Sequence, residues 1–125
     1  MSQLIPRHGN IVWVELFDPQ GRNPKVRPAV VITPTSEITS TGEVVVVGIT
    51  SQVNDASPEV TVDLPWHRNG HSRTKLSRAS VAVCNGKASV PITAIHEIKG
   101  HVPVPEMMRI LQIVGQLEAN GEDQK

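Results

Sequence analysis

Apolar residues in this chain arrive in short β-branched runs broken by turn formers. The longest, from Val44 through Val45, Val46, Val47 and Gly48 to Ile49, is a strand's length and no more. That pattern predicts a sheet of short strands. Ile11 to Phe17 reads as the first strand, closed by Asp18-Pro19-Gln20-Gly21. Ala29 to Thr33 is a second, with Pro28 at its entrance, where a missing N–H is tolerated. Glu43 to Thr50 is longer and predicts a central strand covered on both faces. Glu59 to Leu64 alternates polar and apolar residues, as a half-exposed strand does. Ala79 to Cys84 is a fifth strand and Lys87 to Val90 a sixth. The period then changes: Val104, Met107, Met108, Leu111, Val114 and Leu117 recur at helical spacing, with Pro105 in the first turn and Glu106 near the positive end. The methionines suit either a core face or an adaptable partner surface, and the core face is the stronger reading. Five or six strands followed by one helix predict a mainly β fold, a small antiparallel β-barrel with a C-terminal α-helix.

At 125 residues the chain is one domain, large enough to bury its own core. Its aromatic residues are Trp13, Phe17 and Trp66, so a platform of several stacking rings is excluded. Cys84 is the single cysteine, which excludes an intrachain disulfide scaffold. No apolar run approaches the ~20 residues of a membrane helix. The first seven residues carry no apolar signal core, so the expectation is a cytoplasmic protein with no membrane partner.

Net charge is zero, yet it is unevenly placed. Residues 64–96 contain Arg68, Arg73, Lys75, Arg78 and Lys87 and no acid, while the segments on either side are net acidic. Such a stretch either attracts phosphate or is a solvated loop whose charges pair elsewhere in the fold. His67 and His71 are four apart, but Pro65, Asn69 and Gly70 make their segment a loop. Loop histidines, rather than metal ligands, are the expectation, and no metal or other cofactor is predicted. Cys84 reads as a small buried hydrophobe. Arg27 follows a polar, basic loop, and Thr50-Ser51-Gln52 ends the central strand. An arginine and a threonine at adjacent strand ends can grip one phosphate, or else cap loop carbonyls and begin an ordinary turn.

The segment Gly9-Asn10-Ile11-Val12-Trp13-Val14-Glu15-Leu16, followed by Arg27-Pro28-Ala29-Val30-Val31-Ile32, resembles the opening of the MazF/PemK toxins. Val46 to Gln52 is similar to their third strand and the threonine after it, Ser80 to Asn85 to a later strand, and Met107 to Leu117 to their terminal helix. The resemblance covers a core of about residues 7–117 and leaves residues 118–125 as a polar tail. It implies an SH3-like, MazF/CcdB-like barrel, a homodimer, and the toxin of a type II toxin–antitoxin pair. The implied activity is a metal-independent endoribonuclease cutting single-stranded RNA to 2′,3′-cyclic phosphate and 5′-hydroxyl ends, with Arg27 and Thr50 at the catalytic positions. The implied partners are single-stranded RNA and an acidic antitoxin protein, in a complex that can also bind operator DNA.

Around those positions, Arg22, Lys25, Ser51, Gln52, Arg68, Arg73, Lys75 and Lys87 are the candidate RNA contacts. Arginine hardly ever loses its proton, so another group must accept the 2′-OH proton, and His67 and His71 are candidates. The chain also departs from the family pattern. Arg22, Asn23 and Lys25 replace a small acidic and amide cluster with a glycine, and Asn85-Gly86-Lys87-Ala88 replaces an acid–glutamine–x–arginine run; Lys87 is placed to restore the lost charge. The alternative reading is a barrel that binds nucleic acid or antitoxin without cutting. A gyrase poison ranks last, because the chain ends polar and acidic rather than apolar.

Overall fold

The computed structural model describes residues 4–16 and 24–123; Arg22 and the turn expected at residues 18–21 lie outside them. Six strands, β1 (Asn10–Leu16), β2 (Lys25–Val31), β3 (Glu43–Thr50), β4 (Thr61–Leu64), β5 (Ser80–Pro91) and β6 (Ile95–His101), precede one helix, α1 (Val104–Asp123). The strands form one antiparallel sheet in the order β4-β5-β3-β2-β1-β6. The expected mainly β architecture with a C-terminal helix is the one observed.

Alternation along the strands gives the sheet two apolar faces. Ile11, Val30, Val47, Ile49, Val62 and Ala82 face α1 and pack with its Met107, Ile110 and Val114. Val12, Val14, Ala29, Val31, Val44 and Val46 point the other way and are fully buried without a helix over them. The sheet closes that second core by curling on itself, with Ile92 and the half-buried Ile38 filling in. A bulge drives part of the curl. Val47 pairs with Lys87 but Gly48 with Val83, so Cys84, Asn85 and Gly86 drop out of the β3–β5 register.

Several boundaries differ from the sequence expectation. β2 begins at Lys25, four residues before Ala29, because β1 supplies partners for Lys25 through Pro28. The two strands expected at 79–84 and 87–90 are one strand bent at the bulge. β4 is shorter, its expected start being a 3-10 turn at Pro58–Val60. β6 carries no period-2 apolar signal, since Ile95 and Ile98 are three apart, and the sequence reading passed over it. The helix runs to Asp123, through most of the segment read as a polar tail. Met107 is core and Met108 is not. Val104, Met108 and Leu111 form a second, exposed apolar stripe (70%, 66% and 40% exposed) on the face away from the sheet. No helix among the described residues is long and apolar enough to cross a membrane.

Candidate functional site

β2 and β3 pair over only three positions, Val31 with Val46, Val30 with Val47 and Ala29 with Gly48. Beyond Ala29 and Gly48 they part. Arg27 and Pro28 stay with β1, opposite Val14 and Trp13, while Ile49 and Thr50 stay with β5, opposite Ala82 and Val81. Pro28 is tolerated inside a strand because the β3 side is already unpaired there. The parting strands make a fork with a cleft on each side, about 460 Å³ and 930 Å³ in volume. Arg27, Ile49, Thr50 and Gln52 line both.

Arg27 therefore sits within a strand, at the fork, and not at a strand mouth as the sequence suggested. Its Nε is buried and has no hydrogen-bond partner. A buried N–H left unpaired is costly, and a guanidinium so placed is poised for an anion. Thr50 is half-buried; its Oγ1 accepts a hydrogen bond from the Gln52 N–H at 3.1 Å, which fixes the turn leaving β3.

The smaller cleft is cationic. Among the described residues, Lys25, Arg27, Lys75, Arg78 and Lys99 line it and no acid does, over a floor that includes Ile11, Trp13 and Leu76. Lys75 and Arg78 come from the loop between β4 and β5, which is built around Thr74. Its Oγ1 donates to the Pro65 carbonyl at 2.7 Å and accepts from the Leu76 N–H at 3.1 Å. The His67 and His71 N–H groups both donate to the Leu76 carbonyl. The larger cleft is more apolar, with Gln52, Ser57, Asn85 and Ser89 among its polar groups and Glu15 as its carboxylate.

Of the residues singled out from the sequence, Arg27, Thr50, Lys25, Ser51, Gln52 and Lys75 converge on the cationic cleft. Lys87 lines the other cleft, where its Nζ is paired with the Glu118 carboxylate of α1. Arg68 and Arg73 line neither cleft, but have no carboxylate within salt-bridge distance among the described residues. His67 and His71 also lie outside both clefts. The His67 Nδ1 accepts the Asn69 N–H, and the His71 Nδ1 accepts those of Arg73 and Thr74. Among the described residues no cluster of three or more metal-ligating side chains forms. Cys84 is buried in the core under α1, and burial pushes its thiol up to about 11, so it is a poor nucleophile.

The sequence reading missed Arg78, Lys99 and Glu15 as lining residues. Arg78 was visible in the acid-free stretch, but Lys99 and Glu15 reach the clefts through strand pairing that no local pattern reports.

This fork on a curled, helix-backed sheet defines a class. The chain matches the family described as the PemK-like, MazF-like toxin of type II toxin–antitoxin systems over residues 7–117, and it belongs to that family. Comparison with curated proteins gives no match. Among solved structures it is similar to MazF from Deinococcus radiodurans, with 22% identity, a TM-score of 0.73, and coverage of 94% of this chain and 99% of that one. It is also similar to a MazE–MazF complex from the same organism, with 21% identity, coverage of 94% and 98%, and a TM-score of 0.72. An endoribonuclease from a mycobacterial species shares 14% identity over 93% of each chain, with a TM-score of 0.67. At these identities the likeness is one of fold.

Proposed function

We propose that this toxin is an endoribonuclease that cuts single-stranded RNA at the β2–β3 fork. The observation that carries the reading is the unpaired, buried Nε of Arg27 beside Thr50, in a cleft that the described residues line with five cations and no acid. Family membership supports it. The ribose 2′-oxygen attacks the adjacent phosphorus as the bond to the 5′-oxygen breaks, leaving a 2′,3′-cyclic phosphate and a 5′-hydroxyl. Arg27 stabilises the extra negative charge on the five-coordinate phosphorus, and the Thr50 hydroxyl donates to a phosphate oxygen. Glu15 is the one carboxylate lining either cleft among the described residues, and neither cleft is lined by a histidine. We assign it the 2′-OH proton, which must reach the departing 5′-oxygen by the end of the reaction.

The exposed stripe of Val104, Met108 and Leu111 supports a homodimer, since a second copy would cover it. The solved MazE–MazF complex of a structural relative supports an antitoxin as partner. An acidic, partly disordered segment would compete with RNA for the cationic cleft.

The test is incubation of the purified protein with a long single-stranded RNA, with and without chelator, followed by end-group analysis. Cyclic-phosphate and 5′-hydroxyl ends in both samples are expected. Undegraded RNA that is nevertheless bound would make this barrel a binding module.

A further inference from the structure

We propose that the β6 tripeptide Lys99-Gly100-His101 is the seat of a second phosphate-binding site, formed by Lys75, Arg78 and Lys99, that holds the RNA backbone next to the phosphate at Arg27. The proposal deepens the RNA reading and rests on it for the ligand. Three neighbouring residues of one edge strand do three different things. Lys99 lines the cationic cleft directly. The His101 N–H donates to the Arg73 carbonyl at 2.9 Å and ties the β4–β5 loop to the sheet. Gly100, at φ +91°, leaves the space into which that loop settles: a Cβ there would lie 2.3 Å from the Thr74 carbonyl oxygen and 2.9 Å from that of Arg73. No side chain fits without moving backbone, so close approach of loop and strand requires glycine.

The loop is held firmly on its other side too. Thr74 is buried, and its hydroxyl bridges Pro65 and Leu76. The His71 Nδ1 accepts two loop N–H groups, and the Lys75 N–H returns to the His71 carbonyl at 2.9 Å. Within this frame Lys75 adopts φ +62°, a left-handed conformation that non-glycine residues seldom hold. Strain of that kind persists only where surrounding contacts over-determine it, and it gathers at functional positions. The frame presents Lys75 and Arg78 to the cleft before any ligand arrives, so little ordering remains for binding to impose. A loop that merely covered the sheet end would have no need to aim two cations at the cleft Arg27 lines. Gly100 is thus a positioning residue, acting through Thr74 on Lys75 and Arg78.

The experiment measures binding of a mixed-sequence 2′-O-methyl RNA oligonucleotide, which lacks the attacking hydroxyl, by fluorescence anisotropy over a range of sodium chloride. Lys99→Ala should weaken binding several-fold and lower the log–log salt slope by about 0.7, the value for one lost contact on a single strand. Gly100→Ala carries no charge change, yet should lower the slope by more than one contact. Lys75→Gly and Lys75→Ala lose the same charge, but the glycine, at ease with a positive φ, should retain more affinity than the alanine. A Lys99→Ala protein with the wild-type slope would overturn the site. A Gly100→Ala protein that melts and binds as the wild type does would overturn the seat; if that variant does not fold, the two Lys75 variants decide, and equal affinities overturn it. Wild-type protein that cleaves while these slopes stay unchanged removes the seat and keeps the enzyme. Slopes that respond in a protein that never cleaves keep the seat and remove the enzyme.

Discussion

β2 and β3 are two different structures along their length. Where they pair, Val30, Val31, Val46 and Val47 are fully buried between the two faces of the curl. Two residues beyond the last pair, the same strands hold Arg27 and Thr50 on the walls of two open clefts. Nothing in the type of element changes; only the partner does. Each strand keeps one neighbour through the fork and loses the other, so backbone order survives while one edge opens for side chains and ligand. The paired half should therefore answer to packing and the forked half to chemistry, and substitutions can set the two apart.

The largest effect should come at the fork. Arg27→Ala should slow single-turnover RNA cleavage by roughly a hundredfold or more, the scale for removing one oriented donor at a developing anion. Arg27→Lys keeps a charge but not the planar fork of donors, and should not rescue it. Both variants should melt no lower than the wild type, since the side chain makes no hydrogen bond through Nε that folding depends on and its unpaired N–H is a cost to the folded state. Unchanged cleavage in Arg27→Ala would erase the distinction between the two halves.

The paired half should show the reverse. Val46→Ala empties space in a fully buried position and should cost roughly 2 kcal/mol in chemical denaturation. Cleavage by the remaining folded protein should be close to wild type. A large catalytic loss in fully folded Val46→Ala would mean that the fork's geometry depends on the packing behind it.

This contrast also explains what could be read in the sequence. Valine runs and the late change of period report which residues are buried, and they located β1, β3 and the start of α1 closely. They report partners poorly. Lys25 to Pro28 look like loop because they are charged and contain proline, yet β1 alone is enough to make them strand. Met107 and Met108 both fit a helical period, but the period does not say that one faces the sheet and the other solvent. Arg27 and Thr50 were legible as candidates through the family resemblance, and the cationic loop through its lack of acids. Lys99 and Gly100 were not legible, because β6 has no strand pattern and a close approach to Thr74 is a long-range fact.

Cys84 lies on the border of the two regions, buried in the core at the bulge whose next residue, Asn85, lines the larger cleft. Its thiol is raised from 9.0 to about 11 by burial. Between those values the unfolded chain gives up this proton while the folded chain keeps it, so stability falls as pH rises above 9. The loss should approach roughly 2 kcal/mol by pH 11, at about 1.4 kcal/mol per unit. Denaturation of wild type and Cys84→Ala across this range checks it, because lysine titration is common to both and only the wild type should show the extra loss. Equal slopes would mean that water reaches the bulge and the border is not closed.

The smallest effect tests whether Thr50 belongs to chemistry alone. Its Oγ1 accepts from the Gln52 N–H while its O–H is free to donate toward a phosphate oxygen. Thr50→Val removes both roles and keeps the branched shape suited to a strand end. Losing a half-exposed hydrogen bond should lower stability by about 0.5 kcal/mol, and losing a neutral donor should slow cleavage by about tenfold, less than the loss of Arg27. Thr50→Ser keeps the hydroxyl and should restore most of both. Gln52→Ala leaves both Thr50 roles in place, because the backbone N–H of residue 52 remains, so any loss in that variant must come from the Gln52 side chain in the clefts. If Thr50→Val cuts RNA at the wild-type rate while its stability falls, the threonine is a turn anchor and Arg27 acts on the phosphate without it.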